Sequence, residues 1–225
     1  MTKKPSKSKF LSQPTQPHRL ILKILVVGAQ YCGKTSLIRR CVHDVFNPTL
    51  KATLGVDFAA KQVERKGGSQ TLHVWDVAGL ELGSGMTRAY YHSANGAMVV
   101  CDADNLDESL RQAILWKADI DSKVLVGPNE ERIPCILLVN KCDLKPLTKS
   151  HEELLDTTCR DHNFCGWLAT SAKANINVVE AFEMITDHTL AFMIRVNGMI
   201  VTLAKRNSVT LDRLDQCPLQ PRCPC

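Results

Sequence analysis

Gly28-Ala29-Gln30-Tyr31-Cys32-Gly33-Lys34-Thr35 is the stretch whose reading decides the fold. It follows an apolar run, Leu20–Val27, and precedes a helical pattern, Ser36–Val42. The order G-x-x-x-x-G-K-T between a strand and a helix is that of a phosphate loop. Its glycines let successive backbone N–H groups point inward, and the helix N-terminus adds partial positive charge. Lys34 can then reach the β- and γ-phosphates, and the Thr35 hydroxyl can hold Mg²⁺.

Outward from this loop, strand and helix signals alternate. The first helix runs from Thr35 to about His43, and Asn47-Pro48 marks a turn. Val56–Glu64 and Gln70–Asp76 read as strands joined by Lys66-Gly67-Gly68-Ser69, a hairpin that pairs them antiparallel. A short helix lies near Met86–His92, a strand at Ala97–Cys101, and a helix at Leu106–Ser122 with Asn105 and Glu108 as a capping box. Pro134–Val139 is a strand. Ser150 and Glu153 cap a helix ending before Asn163, Trp167–Thr170 is a short strand, and a last helix spans Asn177 to about Val196. The pattern predicts an α/β fold of the P-loop NTPase kind. Its sheet is doubly wound, six-stranded and mostly parallel with one antiparallel strand, and helices cover both faces.

Charge and cysteine usage narrow the function classes. Lys3, Lys4, Lys7, Lys9 and Arg19, with no acid among residues 1–19, carry a charge equal to the whole formal net charge of +5. The rest of the chain is balanced, which argues against a nucleic-acid surface and marks residues 1–19 as a disordered basic leader. That leader has charge without an apolar core, unlike a secretory signal, and a reducing cytosol is expected. Cys101, Cys135 and Cys142 lie in or beside apolar strands, where a thiol acts as a small hydrophobe. Cys159, His162 and Cys165 have metal-like spacing but lack a fourth ligand.

In such a sheet, ligands bind outside the carboxyl ends of the strands. Asp76-Val77-Ala78-Gly79 follows one strand, so Asp76 can support Mg²⁺ and the Gly79 N–H can meet a γ-phosphate. Asn140-Lys141-Cys142-Asp143 follows another. The Asp143 carboxylate can accept both N1–H and the exocyclic amine of guanine, and the Lys141 stem can lie along the purine face. Ser171-Ala172-Lys173, after the last strand, can close over the same base. Together the motifs specify guanine nucleotide, GTP or GDP with Mg²⁺. Asp143 disfavours an ATP-using kinase.

These motifs resemble the Ras-like small GTPases, and within them the Rab family, over roughly residues 20–195. Gly55-Val56-Asp57-Phe58, Trp75-Asp76-Val77-Ala78-Gly79 and Tyr90-Tyr91 resemble the Rab switch regions. Lys51-Ala52-Thr53, Met86-Thr87-Arg88, Trp116 through Val124 and Gly166-Trp167 resemble the branch serving lysosome-related organelles such as melanosomes. The resemblance implies a small GTPase domain over residues 20–196. Its nucleotide contacts would be Gly28, Gln30, Tyr31, Cys32, Gly33, Lys34, Thr35, Ser36, Phe46, Thr53, Asp76, Gly79, Asn140, Lys141, Asp143, Ser171, Ala172 and Lys173. Thr35, Thr53 and Asp76 would bind Mg²⁺, Phe46 would pack on the guanine edge, and Phe58, Trp75 and Tyr90 would form the aromatic triad that effectors read. Residues 197–225 would be a flexible tail whose terminal Cys223-Pro224-Cys225 resembles a doubly geranylgeranylated Rab end. Such a tail holds the domain about 30 Å from its anchor. Cys217 is a candidate for palmitoylation. The implied partners are effector proteins, a guanine-nucleotide exchange factor, a Rab GTPase-activating protein, GDP-dissociation inhibitor and a prenylation escort. The implied location is the cytosolic face of endomembranes: a lysosome-related organelle, an endosome or trans-Golgi vesicles.

The chain also departs from that family. Leu80 stands where a glutamine orients the attacking water. Leu82-Gly83-Ser84-Gly85 loosens the second switch, Leu50 replaces the first-switch tyrosine, and bulky Tyr31 invites strained dihedrals or a position over the phosphate. No other residue offers itself in the sequence as a water-orienting substitute. The expectation is a switch with slow intrinsic hydrolysis; the alternative is a non-enzymatic pseudo-GTPase whose nucleotide is weakly or permanently held.

Overall fold

The computed structural model describes residues 20–65, 68–127 and 129–197. The basic leader, hairpin residues Lys66 and Gly67, Cys217, and the terminal Cys223 and Cys225 lie outside the described residues.

The elements are β1 (Leu20–Gly28), α1 (Lys34–His43), β2 (Val56–Arg65), β3 (Gly68–Val77), α2 (Thr87–Tyr91), β4 (Gly96–Asp102), α3 (Leu106–Lys123), β5 (Leu125–Val126), β6 (Glu131–Arg132), β7 (Cys135–Asn140), α4 (Lys149–Asp161), β8 (Trp167–Ala169) and α5 (Val178–Asn197). Six strands form one sheet in the order β2-β3-β1-β4-β7-β8. β2 runs antiparallel to β3, and every other neighbouring pair is parallel. This is the mixed sheet that the alternating pattern predicts. The hairpin ladder extends to Arg65 opposite Gly68, so Gly68 and Ser69, expected between the strands, belong to β3.

β4 from Ala97 to Cys101 and β7 from Cys135 to Val139 are apolar because both their faces are covered. In β4, Ala97, Val99 and Cys101 enter one core, and Met98 and Val100 enter the other. β7 divides in the same way, with Cys135, Leu137 and Val139 opposite Ile136 and Leu138. Leu110, Trp116 and Ile120 of α3 and Leu155 of α4 cover the first face. Leu37 and Ile38 of α1, with Phe182 and Ile185 of α5, cover the second. Cys159 joins the first core, where burial pushes its thiol up to about 12.

Two helix starts differ from the sequence reading. The Asn105 side chain makes no capping hydrogen bond. Instead, the Ser109 hydroxyl accepts from the Asp102 N–H and donates to the Asp102 carbonyl, each at 2.9 Å, which ties α3 to the end of β4. Glu108 turns outward to Arg111 and Gln112. On α4 the capping box belongs to Thr148 and His151, not to Ser150 and Glu153. Both pairs satisfy the spacing; the Ser150 hydroxyl is engaged by that of Thr148 at 2.9 Å. The β5–β6 ribbon, with two residues in each strand, has no readable period.

The segment from Trp116 to Val124 has a clear structural role. Asp119 accepts from the Tyr91 hydroxyl at 3.0 Å and from Lys123 at 2.5 Å, and Lys123 also donates to the Thr87 hydroxyl at 2.7 Å. Lys117, almost wholly buried, pairs with Asp121 at 2.5 Å. The Tyr91–Asp119 and Lys123–Thr87 bonds fasten α2 onto α3.

Candidate functional site

The loops leaving β1, β7 and β8 gather at one edge of the sheet, as the parallel topology dictates. With residues 46–53 and Gly79 they enclose a cleft of about 330 Å³. Gln30, Tyr31, Gly33, Lys34, Thr35, Ser36, Phe46, Thr53, Gly79, Asn140, Lys141, Asp143, Ala172 and Lys173 all line it, so nearly every residue singled out from sequence is brought to one place.

At one end the phosphate loop bends around Gly33, whose φ of 95° suits glycine and whose added Cβ would lie 2.2 Å from Asn140 Nδ2. Lys34 is buried under the loop, and its ammonium donates to the carbonyls of Gly28 at 3.0 Å and Ala29 at 2.8 Å. Tyr31 takes a φ of 65°, the strained alternative, and its side chain is 70% exposed at the cleft mouth. The Cys32 side chain, at 1% exposure, belongs to the core under α1, which leaves only its backbone to face a ligand.

Thr35, Thr53 and Asp76 meet although they come from three separate segments. The Thr35 and Thr53 hydroxyls are 2.8 Å apart, and Asp76 Oδ2 accepts from Thr35 at 2.5 Å and from Thr53 at 3.4 Å. Asp76 is 3% exposed, and its Oδ1 is buried with no hydrogen-bond partner among the described residues. Burial raises the Asp76 carboxyl above its ordinary value, offset in part by the bond from Thr35. Two hydroxyls, one carboxylate and an unused buried carboxylate oxygen form the hard oxygen set that Mg²⁺ takes, and the residues fit that ion. Gly79 is pressed onto the phosphate loop: a Cβ there would lie 2.3 Å from the Gln30 nitrogen. Leu80 is 72% exposed and lies outside the cleft lining.

The other end is built around Asn140, 1% exposed. Its Nδ2 donates to the Cys32 carbonyl at 2.9 Å, and its Oδ1 accepts from the Ala172 N–H at 3.3 Å and the Thr170 hydroxyl at 3.4 Å. Asn140 is therefore a strut joining three loops, with its amide already committed. Asp143 Oδ1 accepts from the Ser171 hydroxyl at 2.6 Å, which fixes the carboxylate at the cleft wall. Lys141 adopts a φ of 66° and pairs with Asp102 at 2.6 Å, so its amine is held by a carboxylate that the sequence reading did not single out. Arg40, also missed, donates from Nε to the Ala172 carbonyl at 2.9 Å and steadies the closing loop. The one sequence signal for Asp102 was its place at the carboxyl end of a buried strand.

The three aromatics lie on the outer surface. Phe58 meets Trp75 edge to face with centroids 4.4 Å apart, and Tyr90 approaches Gly55 beside them. Lys23 Nζ sits 3.2 Å from the Trp75 ring centroid and donates to the His92 carbonyl at 2.8 Å. Burial lowers the Lys23 ammonium to about 8, although the ring face and the carbonyl both favour the charged form. Trp116 and Trp167 are buried elsewhere, so a change in tryptophan emission on raising the pH through about 8 reports Trp75. Lys23→Met should abolish that transition, and an unchanged titration would show that the amine does not perturb the ring.

The Ras family profile matches residues 23–191. Ras-related protein Rab-32A of Dictyostelium discoideum is 44% identical over 182 residues, covering 80% of this chain and 83% of that protein. Ras-related protein Rab-32 of Mus musculus is 44% identical over 173 residues, 76% of each chain. Ras-related protein Rab-7L1 of Homo sapiens is 39% identical over 168 residues, 74% of this chain and 81% of the relative.

Proposed function

The chain belongs to the Ras family, within its Rab group, and from that premise we propose that it is a lipid-anchored, Mg²⁺-dependent GTP switch whose GTP state persists. In this reading Lys34 grips the β- and γ-phosphates, and Gly28, Gln30, Tyr31, Cys32, Gly33 and Ser36 offer loop backbone and hydroxyl donors. Thr35, Thr53 and Asp76 hold the ion, which when bound neutralises phosphate charge. Asp143 reads guanine, with Ser171, Ala172, Lys173 and Lys141 closing around the base and Phe46 against its edge. Gly79 senses the γ-phosphate and passes its presence to the Phe58–Trp75–Tyr90 face, where effectors dock.

The observation that carries the reading is the pairing of a convergent Thr35–Thr53–Asp76 cluster with a Leu80 that stays out of the cleft. The first favours tight nucleotide; the second removes the side chain that would position water. Prenylated Cys223 and Cys225 would hold the switch on the cytosolic face of a lysosome-related organelle, an endosome or a trans-Golgi vesicle. An exchange factor, an activating protein, GDP-dissociation inhibitor and an escort would serve it. The strained Tyr31 favours a second reading, a binding module with a disturbed loop and no turnover.

Chromatography of nucleotide released from freshly purified protein separates these readings. Mostly GTP supports the persistent switch, GDP an ordinary cycling enzyme, and neither nucleotide the module. Single-turnover hydrolysis should rise about tenfold or more in Leu80→Gln; no increase removes Leu80 as the cause of persistence.

A further inference from the structure

We infer that Gln30 supplies, from the phosphate loop, the carboxamide that orients the attacking water. The inference rests on the reading of the cleft as a GTP site. Three observations lead to it.

Leu80 is exposed and absent from the cleft wall, whereas Gln30 lines it. The two positions are neighbours in space through Gly79. A Cβ on Gly79 would lie 2.3 Å from the Gln30 nitrogen and 2.6 Å from its Cα, and residue 80 follows one peptide later. A side chain on residue 30 therefore starts from the same region as one on residue 80.

Among the described lining residues the carboxamides are those of Gln30, Asn47 and Asn140. Asn140 is spent on the Cys32 carbonyl, Thr170 and Ala172. Asn47 Oδ1 accepts from the Thr49 N–H at 2.9 Å and its hydroxyl at 2.8 Å, in the loop that follows Phe46. Gln30 carries no side-chain hydrogen bond to the described residues and is the one carboxamide beside Gly79 that is free to act.

An amide suits the task because its carbonyl accepts a water hydrogen while its NH₂ donates to a phosphate oxygen. In the step it would assist, the water oxygen forms a bond to the γ-phosphorus as the bond to the β–γ bridging oxygen breaks. The bridging oxygen leaves on GDP with the electron pair, and the water proton passes to the released phosphate. Gln30 only positions the water and is not consumed. Persistence and residual turnover then have a common origin: the amide acts from residue 30 of the phosphate loop, and residue 80 supplies none.

The test compares wild type, Gln30→Met and Gln30→Met/Leu80→Gln by retained nucleotide, by single-turnover hydrolysis, and by ¹⁵N–¹H signals of side-chain amides. Methionine keeps the length and removes the amide. The expected result is that Gln30→Met still holds GTP but hydrolyses it about 10- to 100-fold more slowly. The double variant should recover. The amide pair missing from Gln30→Met should shift between the GDP-loaded and GppNHp-loaded wild type. Unchanged hydrolysis with an unshifted amide pair overturns the inference while leaving nucleotide binding intact. A wild-type chain that takes up no guanine nucleotide overturns the reading beneath it as well. If Gln30→Met does not fold, Gln30→Leu, which also removes the amide, takes its place under the same criteria.

Discussion

Asp143→Asn is expected to lower the affinity for GTP by about 10³-fold or more and to raise that for xanthosine triphosphate. The wild-type carboxylate is held at the cleft wall by the Ser171 hydroxyl, 2.6 Å from Oδ1. Ser171 is in turn fixed by accepting from the Ala174 N–H at 2.9 Å and by backbone bonds with Ile176 in both directions. Asparagine at this position keeps one acceptor oxygen, which Ser171 takes. Its NH₂ group then confronts the N1–H and 2-amino donors of guanine, and a donor facing a donor makes no bond. Xanthine has a carbonyl in place of the 2-amino group and accepts what guanine repels. Competition against a fluorescent guanine nucleotide, run with both purines, measures the exchange. Equal loss for both would show that Asp143 acts through the loop alone.

The sheet was legible in the sequence because β4 and β7 are buried on both faces and are apolar from Ala97 to Cys101 and from Cys135 to Val139. β4 and β7 fill both cores in alternation, and no other element produces that pattern over so few residues. The loops were legible through the phosphate-loop glycines and through polar residues that follow strands. Tyr31 was legible as strain because a bulky side chain occupies a position that the loop bends to a φ of 65°.

What escaped depended on tertiary contact. Asn140 enters the sequence reading as a nucleotide contact, and the structure adds that its amide holds the Cys32 and Ala172 loops together. Cys32 sits within the motif but turns into the core. The Thr148 cap and the Ser150 cap have the same spacing and hydroxyl chemistry, and local pattern alone does not choose between them. The ion pair of Lys141 with Asp102 joins residues 39 positions apart, and no local pattern encodes it. Gln30 and Leu80 are fifty positions apart in sequence; their shared neighbourhood arises from the close packing of Gly79 on the phosphate loop.

Asp76→Asn should abolish the effect of Mg²⁺ on nucleotide release and weaken GTP binding by about 10²- to 10³-fold, on the scale of losing one well-placed charged contact. The carboxylate has its charge nearly buried, one oxygen shared by Thr35 and Thr53 and the other without a partner. Such a group is costly to the protein alone, and its cost is offset only when a cation arrives. Asparagine retains the oxygen that accepts from the two hydroxyls but cannot supply the charge. Metal-free Asp76→Asn should therefore melt no lower than metal-free wild type, whereas wild type alone should gain stability when Mg²⁺ and GDP are added together. Thermal melts and nucleotide release rates, each with Mg²⁺ or with excess chelator, supply both halves. If Asp76→Asn still releases nucleotide faster under chelator, the ion is held without this carboxylate. A lower melt in the absence of metal would instead mean that Asp76 is part of the scaffold, with Thr35 and Thr53 as the ends it was placed to join.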